Sequence, residues 1–487
     1  MATLKGNVIL NFINTITGII FPVITFPYAS RVLLPEGIGA VNFLSSIVNY
    51  IVLFTSLGIP LYAVREIAKY RDNIDLRNKI TVEIILLSVI LCLLGYIAVW
   101  VLAEFVPRIS AESGLFYILS LTIIFTSIGV NWFYQGIEDF KFITIRAIII
   151  RTLAALSLFI FVKDRNDLLI YGAVTVGSTV GNNLINFLHL KTYIQFAQIK
   201  WRELEIAKHL RPAIHIFVLN LIISIYVNLN SVMLGFMQGD EAVGLYTAGN
   251  KIAHIVLSVV TSLGVVMIPR CSILVETGNM QEFGKVINKA FRLVVCMAFP
   301  STIGLILLAD PIIRIFCGES FIEAIPIVYW TAPIIIFIGL TNIIGMQILY
   351  PQNKESIVIW STLGGALFNL ILNVILIPIY SAVGAAIATF VAELAVLIIQ
   401  LILGYKYLPF KLRNIQFIHY MIATIIMSLI VASILYTFDD MWIKTTLSII
   451  IGGSVYVGYL IYKGDDVMKS IIEFIHRSSY ASKKPFH

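Results

Sequence analysis

Long apolar runs separated by short polar segments make up most of this 487-residue chain. Fourteen runs can be traced, at about 7–29, 37–61, 80–103, 113–136, 142–162, 167–190, 212–238, 242–268, 289–309, 324–349, 355–377, 382–404, 415–438 and 441–462. Each has about twenty residues or more, enough to cross a hydrocarbon core of about 30 Å at about 1.5 Å per residue. Unbroken apolar runs of that length predict helices, which satisfy their own backbone hydrogen bonds in lipid; a barrel would show short alternating strands. The pattern predicts an all-α polytopic membrane protein of about fourteen transmembrane helices. The first run is too long for a secretory signal, contains Asn11, Asn14 and Pro22, and lacks a small-residue cleavage site.

Composition agrees: hydrophobic residues are 59% of the chain and charged residues 13%, the latter about half the ~25% of a soluble domain. Placement of charge adds more. With the N-terminus inside, most of the 34 Lys and Arg fall in loops on the inner side, while Asp and Glu divide almost evenly. This positive-inside bias places both termini in the cytoplasm. The net charge of +7 then follows from topology and does not point to nucleic acid. The four cysteines are scattered, with neither a disulfide framework nor a metal spacing.

The chain also repeats itself. "TSLG" occurs at Thr55–Gly58 and again at Thr261–Gly264; at its flanks Gly39 pairs with Gly244, and Arg65 with Arg270, both 205 residues apart. Six spans, six spans and two extra spans result. Each half holds an even number of spans, so the two are parallel repeats related by an axis along the membrane normal, with a cavity expected between them. The predicted divisions are 1–199, an N-terminal six-helix half; 200–405, a linker helix with the C-terminal six-helix half; and 406–487, two further spans and a cytoplasmic tail. In the linker "KWRELEIAKHLRP" (200–212), Trp201, Leu204, Ala207 and Leu210 form one stripe, which predicts an amphipathic helix lying flat on the surface.

Several chemistries find no support. "GNMQEFGKV" (278–286) has five residues between its glycines, and Val286 stands where a phosphate-binding loop needs Ser or Thr. The outside loop at about 309–325 has Asp310, Arg314, Glu319 and Glu323 without a paired-carboxylate spacing. The seven histidines form no metal cluster. The chain reads as a non-enzyme, with no cofactor.

Ionisable residues within apolar spans are costly, at least ~2.5–3.5 kcal/mol near mid-bilayer, and so become candidate site residues. Lys251 and Glu393 are the deepest, in the eighth and twelfth runs; either they line a wet site or they form a structural ion pair. Asn250 and His254 flank Lys251, the latter one turn on. Arg151 lies deep in the fifth run, whereas Arg146 stands at its start and reads as a positive-inside anchor. Arg31 caps the first helix or guards its outer mouth, and Glu83 is close enough to the inner surface to snorkel. Asn14 shares a helical stripe with Asn7 and Asn11, and Asn182, Asn183 and Asn186 cluster in the sixth run. These amides either join helices or meet a sugar. Lys251, Arg31, Arg151, Asn14, Asn250 and His254 are thus candidate substrate-binding residues; Glu393 and Glu83 are candidates for ion coupling.

The stretches "YASRVLLPEGIGAVNF" (28–43), "SLGIPLYAVREIAK" (56–69), "NWFYQGIEDFKFITIR" (131–146) and "VGLYTAGNKI" (243–252) resemble the polysaccharide-transporter, or O-antigen flippase, family. That family shares a superfamily with multidrug antiporters and lipid II flippases. The resemblance implies a bacterial inner-membrane flippase that moves an undecaprenyl-diphosphate-linked oligosaccharide by alternating access, with ion coupling. Membrane lipids, a polysaccharide polymerase and a chain-length regulator are the further partners it implies. It supplies no fixed set of functional residues, so the candidates above rest on physics. A multidrug/cation antiporter of the same fold is the nearest alternative, and a membrane polymerase a more distant one. The antiporter would be expected to have an acid-dominated site, whereas here the deep basic residues outnumber the deep acids.

Overall fold

The computed structural model of the protein describes residues 4–194, 199–409 and 417–469. Among these residues the long elements are all helices, and there are no strands. Ten helices are long and apolar enough to cross a membrane, or eleven if the bent pair Glu319–Thr331 and Ile334–Leu349 is one span. The fourteen apolar runs condense because two helices each carry two of them, the tenth run is the bent pair, and the seventh is counted only as the shorter apolar stretch Val227–Met237. Helix α1 (Leu4–Ser56) has 53 residues and α15 (Glu355–Gly404) has 50, each more than twice the length one crossing needs. Both break partway, the first where a proline disturbs the helix. Leu34, directly before Pro35, has φ 59°, because the proline ring disfavours the α conformation in the residue before it. Ser381, three residues after Pro378, has φ 50°. The described residues thus form a polytopic membrane protein.

Contacts divide the chain into two compact units, residues 1–247 and 248–487. In the first, α1 is followed by α2 (Ile59–Lys69), α3 (Ile74–Phe105), α4 (Pro107–Ser110), α5 (Ser113–Ile128), α6 (Asn131–Gly136), α7 (Phe140–Phe161), α8 (Leu168–Leu190) and α9 (Leu210–Met237). Ile67, Ile80, Phe133 and Tyr134 pack where α2, α3 and α6 meet, and Tyr134 donates to the Asn186 carbonyl at 2.7 Å. Helix α10 (Asp240–Glu276) begins in this unit and runs on into the second.

The start of α10 crosses the second part of α1 at a point the sequence repeat singles out. A Cβ on Gly39 would overlap the Asp240 carbonyl, and one on Gly244 would overlap the Pro35 carbonyl. The 205-residue shift that takes Gly39 to Gly244 also takes Pro35 to Asp240, so the crossing maps onto itself. Only glycine permits so close an approach of two backbones. Arg108 of α4 closes the crossing, bonding Asp240 at 2.6 Å and the Gly235 carbonyl at 3.3 Å.

In the second unit come α11 (Met280–Leu307), α12 (Ala309–Phe316), α13 (Ile325–Thr331), α14 (Ile334–Asn342), α15, α16 (Phe417–Thr437) and α17 (Met441–Tyr462). A π-helical turn, Ile343–Leu349, follows α14. Tyr456 of α17 donates to the Cys296 carbonyl of α11 at 2.7 Å. The tail 470–487 and the start of the thirteenth run lie outside the described residues.

The linker departs from expectation. Residues 200–212 are not one surface helix but two 3-10 turns, Trp201–Glu203 and Ile206–His209, leading into α9. The cause is a buried carboxylate. Glu83 of α3 accepts from the Glu205 backbone N–H at 2.7 Å and draws the linker inward.

Candidate functional site

Among the described residues, polar groups interrupt the apolar interior at several places, and three of them hold the candidate residues. The first joins α1, α6, α7 and α8 within unit 1. Arg151, half-buried on α7, turns one guanidinium nitrogen to α1. There it donates to the Asn14 carbonyl (2.9 Å), the Asn14 Oδ1 (3.1 Å) and the Thr17 hydroxyl (2.8 Å). The guanidinium lies against Gly18, 3.5 Å from where a Cβ would stand. Arg146 lies five residues earlier on α7 and is only 7% exposed. Its Nε donates to Asn182 of α8 at 3.0 Å and its Nη2 to Asn131 of α6 at 3.3 Å, while Nη1 is buried without a partner. Thr144 adds a hydrogen bond to the Leu10 carbonyl at 3.0 Å.

The two guanidinium groups are within electrostatic reach of one another. Among the described residues neither has a carboxylate within ion-pair distance; every acceptor that holds them is neutral. An amide or hydroxyl satisfies hydrogen-bond geometry but does not neutralise charge, so the seam keeps two positive charges in a poorly solvating region. Such a site is complementary to an anion, and to a phosphate in particular, which the planar guanidinium fork meets with two parallel hydrogen bonds.

The structure thus joins two of the sequence candidates, Arg151 and Asn14, and adds Arg146, Thr17, Asn131 and Asn182. Arg146 is not the interfacial anchor its position suggested. Position along a span gives depth but not the face, and the facing amides come from other helices. The Asn182–Asn186 cluster was the available signal.

The second group surrounds Glu83, which is completely buried and does not snorkel. Besides the Glu205 N–H, its carboxylate meets His209 Nε2 at 2.9 Å, Lys208 Nζ at 2.9 Å and Lys79 Nζ at 3.9 Å. Tyr62 of α2 contacts the other ring nitrogen of His209 at 2.7 Å. A neutral His209 with its proton on Nε2 satisfies both contacts. Partial burial works against the charge of Lys208, but the hydrogen bond and attraction to Glu83 outweigh it and hold the ammonium above its ordinary range. Both carboxylate oxygens accept hydrogen bonds, so the arrangement is a closed clasp between α3 and the linker.

The third group lies in unit 2. Lys251 is half-buried on α10, with Asn250 half-buried beside it and His254 exposed one turn on. Glu393 is buried on α15, along the same helix as Asn369 and Asn373, whose side chains bond each other at 3.0 Å. Neither Lys251 nor Glu393 is without a partner. The repeat partner of Lys251 is Ser46, which donates to the Asn42 carbonyl at 2.8 Å. Arg31 is exposed and donates to the Pro27 carbonyl one turn back at 2.9 Å.

Residues 4–275, more than half of the chain, match the polysaccharide biosynthesis protein family, and residues 216–375 match the MatE family. The "Putative O-antigen transporter" of Escherichia coli (strain K12) is 23% identical over 391 residues, covering 80% of this chain and 94% of that protein. The lipid II flippase MurJ of Bacillus subtilis (strain 168) is 28% identical over 165 residues, 32% of this chain and 30% of that protein. Among solved structures, a lipid II flippase MurJ in an inward closed conformation aligns with a TM-score of 0.76 at 16% identity, covering 94% of this chain and 99% of that one. An inward-facing multidrug resistance MATE family transporter aligns at 0.61 and 12% identity, covering 80% and 94%. At such identities the two structures speak to the fold.

Proposed function

From the premise that this chain belongs to the polysaccharide biosynthesis protein family, we propose that it is a flippase for lipid-linked oligosaccharide repeat units in surface polysaccharide synthesis. The observation that carries this reading is the uncompensated pair Arg146 and Arg151, held by amides and hydroxyls inside the membrane. A lipid diphosphate carrying sugars needs cations for one part and hydrogen-bonding groups for the other, and the seam supplies both. Lys251, with Asn250 and His254, is proposed as a further contact for the diphosphate, and Arg31 for substrate at the outer mouth. Glu393 is proposed as the coupling acid. Glu83, enclosed by its clasp, fits a structural role better than ion coupling.

The MatE match and the MATE-like fold favour a second reading, a cation exporter. A cationic substrate calls for carboxylates where the seam has arginines, which supports the flippase reading. Transport proceeds by exposing the substrate site alternately to the two faces of the membrane, without catalysis. The proposed setting is the bacterial inner membrane with both termini in the cytoplasm. A polysaccharide polymerase and a chain-length regulator act downstream. The proposed organisation is two parallel repeats, 1–199 and 200–405, followed by 406–487; the self-mapping of the Gly39–Gly244 crossing supports it.

Deletion of the gene should make lipid-linked repeat units accumulate in the cytoplasmic leaflet. Full-length polymer lacking there while repeat units reach the outer leaflet would instead indicate a polymerase.

A further inference from the structure

We propose that a groove at the N-terminal end of α11 binds an anionic phospholipid of the bilayer itself. The groove has a volume of about 600 Å³ and is bounded by α11, by the chain at Pro409 and by the residues that follow α17. Its α11 wall carries Lys285, Lys289 and Arg292. Spacings of four and three residues put these on one face, over about 10 Å of helix. The helix is divided cleanly: Phe283, Val286, Ile287, Ala290 and Phe291 are buried on its other side.

Stacked like charges one turn apart destabilise a helix by about 0.2–0.5 kcal/mol per pair, so compensation is the informative question. Arg292 meets Asp466 at 3.3 Å, and Lys285 meets Glu282 at the longer distance of 3.8 Å. Lys289 has no ion-pair partner among the described residues. The three cations exceed the acids that line the groove, of which Asp466 is the one present.

Depth identifies the occupant. Lys285 precedes the apolar run at 289–309, Lys289 opens it, and Arg292 stands one turn inside it. The row of charge therefore crosses the level at which phospholipid phosphates lie. Basic pockets between transmembrane helices on that side take anionic headgroups, with juxtamembrane basic residues contributing about 1 kcal/mol each. Gly284, on the same wall, lets the chain at Pro409 close in: a Cβ there would stand 3.3 Å from the Pro409 carbonyl. The proposal concerns the bilayer's own lipid and does not depend on what the protein transports.

The test is native mass spectrometry of the full-length protein in neutral detergent, titrated separately with phosphatidylglycerol and phosphatidylcholine. Wild type should hold phosphatidylglycerol in preference to phosphatidylcholine. The double substitution Lys285→Gln with Lys289→Gln should weaken the tightest phosphatidylglycerol adduct on the order of 30-fold, from two lysines at the magnitude above. Both side chains are exposed; should the double variant fail to accumulate, Lys289→Gln alone should weaken binding by roughly fivefold. The charge-matched Lys163→Gln with Lys444→Gln, outside the groove, should leave binding intact. Identical adducts in wild type and the α11 variants, or equal loss in the control pair, would overturn the proposal. So would binding of inorganic pyrophosphate, and not of phosphatidylglycerol, at the same lysines.

Discussion

The Glu83 clasp and the Arg146–Arg151 seam are two charged groups in the same unit, and they are completed in opposite ways. Around Glu83 the anion meets two lysines, a histidine and a backbone N–H, and the Glu205 carboxylate, 3.3 Å from Lys208, balances the second lysine. Around the arginines, every partner is neutral. Both satisfy the rule that buried polar groups are hydrogen-bonded. They differ in net charge, and that difference separates the roles. A balanced cluster has nothing left to offer a ligand; it fixes the geometry of the chain around it. A cluster with hydrogen bonds complete and charge incomplete is held rigid and still attracts an anion.

The comparison predicts a graded series in stability. Glu83→Ala should have the largest effect, because it leaves His209 and the lysines facing an emptied, buried site. The buried His209 and the Glu205 N–H lose their acceptor at about 1–3 kcal/mol each, while the lysines, 29% and 40% exposed, can turn to water. A marked fall in the unfolding midpoint of the detergent-solubilised protein should report it; a midpoint equal to wild type would remove the distinction between the two clusters. Arg146→Met should cost less, about 1–3 kcal/mol in all, since the groups left behind are the amide oxygens of Asn131 and Asn182 rather than buried donors. It should nevertheless abolish transport, so that transport and stability are lost in opposite order in the two variants. Tyr62→Phe should be the mildest, removing one hydrogen bond at the rim of the clasp for about 0.5–1.5 kcal/mol, with transport retained. A Tyr62→Phe protein as unstable as Glu83→Ala would mean that the clasp is organised by His209 and not by the carboxylate.

The fold was readable in the sequence where lipid imposes one solution. Apolar runs in hydrocarbon must be helical, and the helices fall on them. The shift that pairs Gly39 with Gly244 led to two residues that meet at one crossing, because the packing there has room only for hydrogen at either position. The linker was not readable. Its stripe of Trp201, Leu204, Ala207 and Leu210 has helical period, but the group that decides its path, Glu83, lies 122 residues away from Glu205. The seam was half readable for a similar reason. Arg151 and Asn14 stood out by depth and residue type. Arg146 was concealed by its place at the end of a run, because Asn131 and Asn182, which receive it, are brought up by α6 and α8.

The central claim is that the seam works because its arginines lack a carboxylate, and Asn14→Asp tests it most directly. The substitution keeps the size of the side chain and puts an acid 3.1 Å from the Arg151 guanidinium, which converts an open cation into a clasp like that of Glu83. The account predicts a protein of normal abundance, with an unfolding midpoint no lower than wild type, that no longer moves lipid-linked oligosaccharide into the outer leaflet when it is the only copy in the cell. Wild-type transport by the Asn14→Asp protein would contradict the account, since the charge it assigns to the substrate would then be expendable.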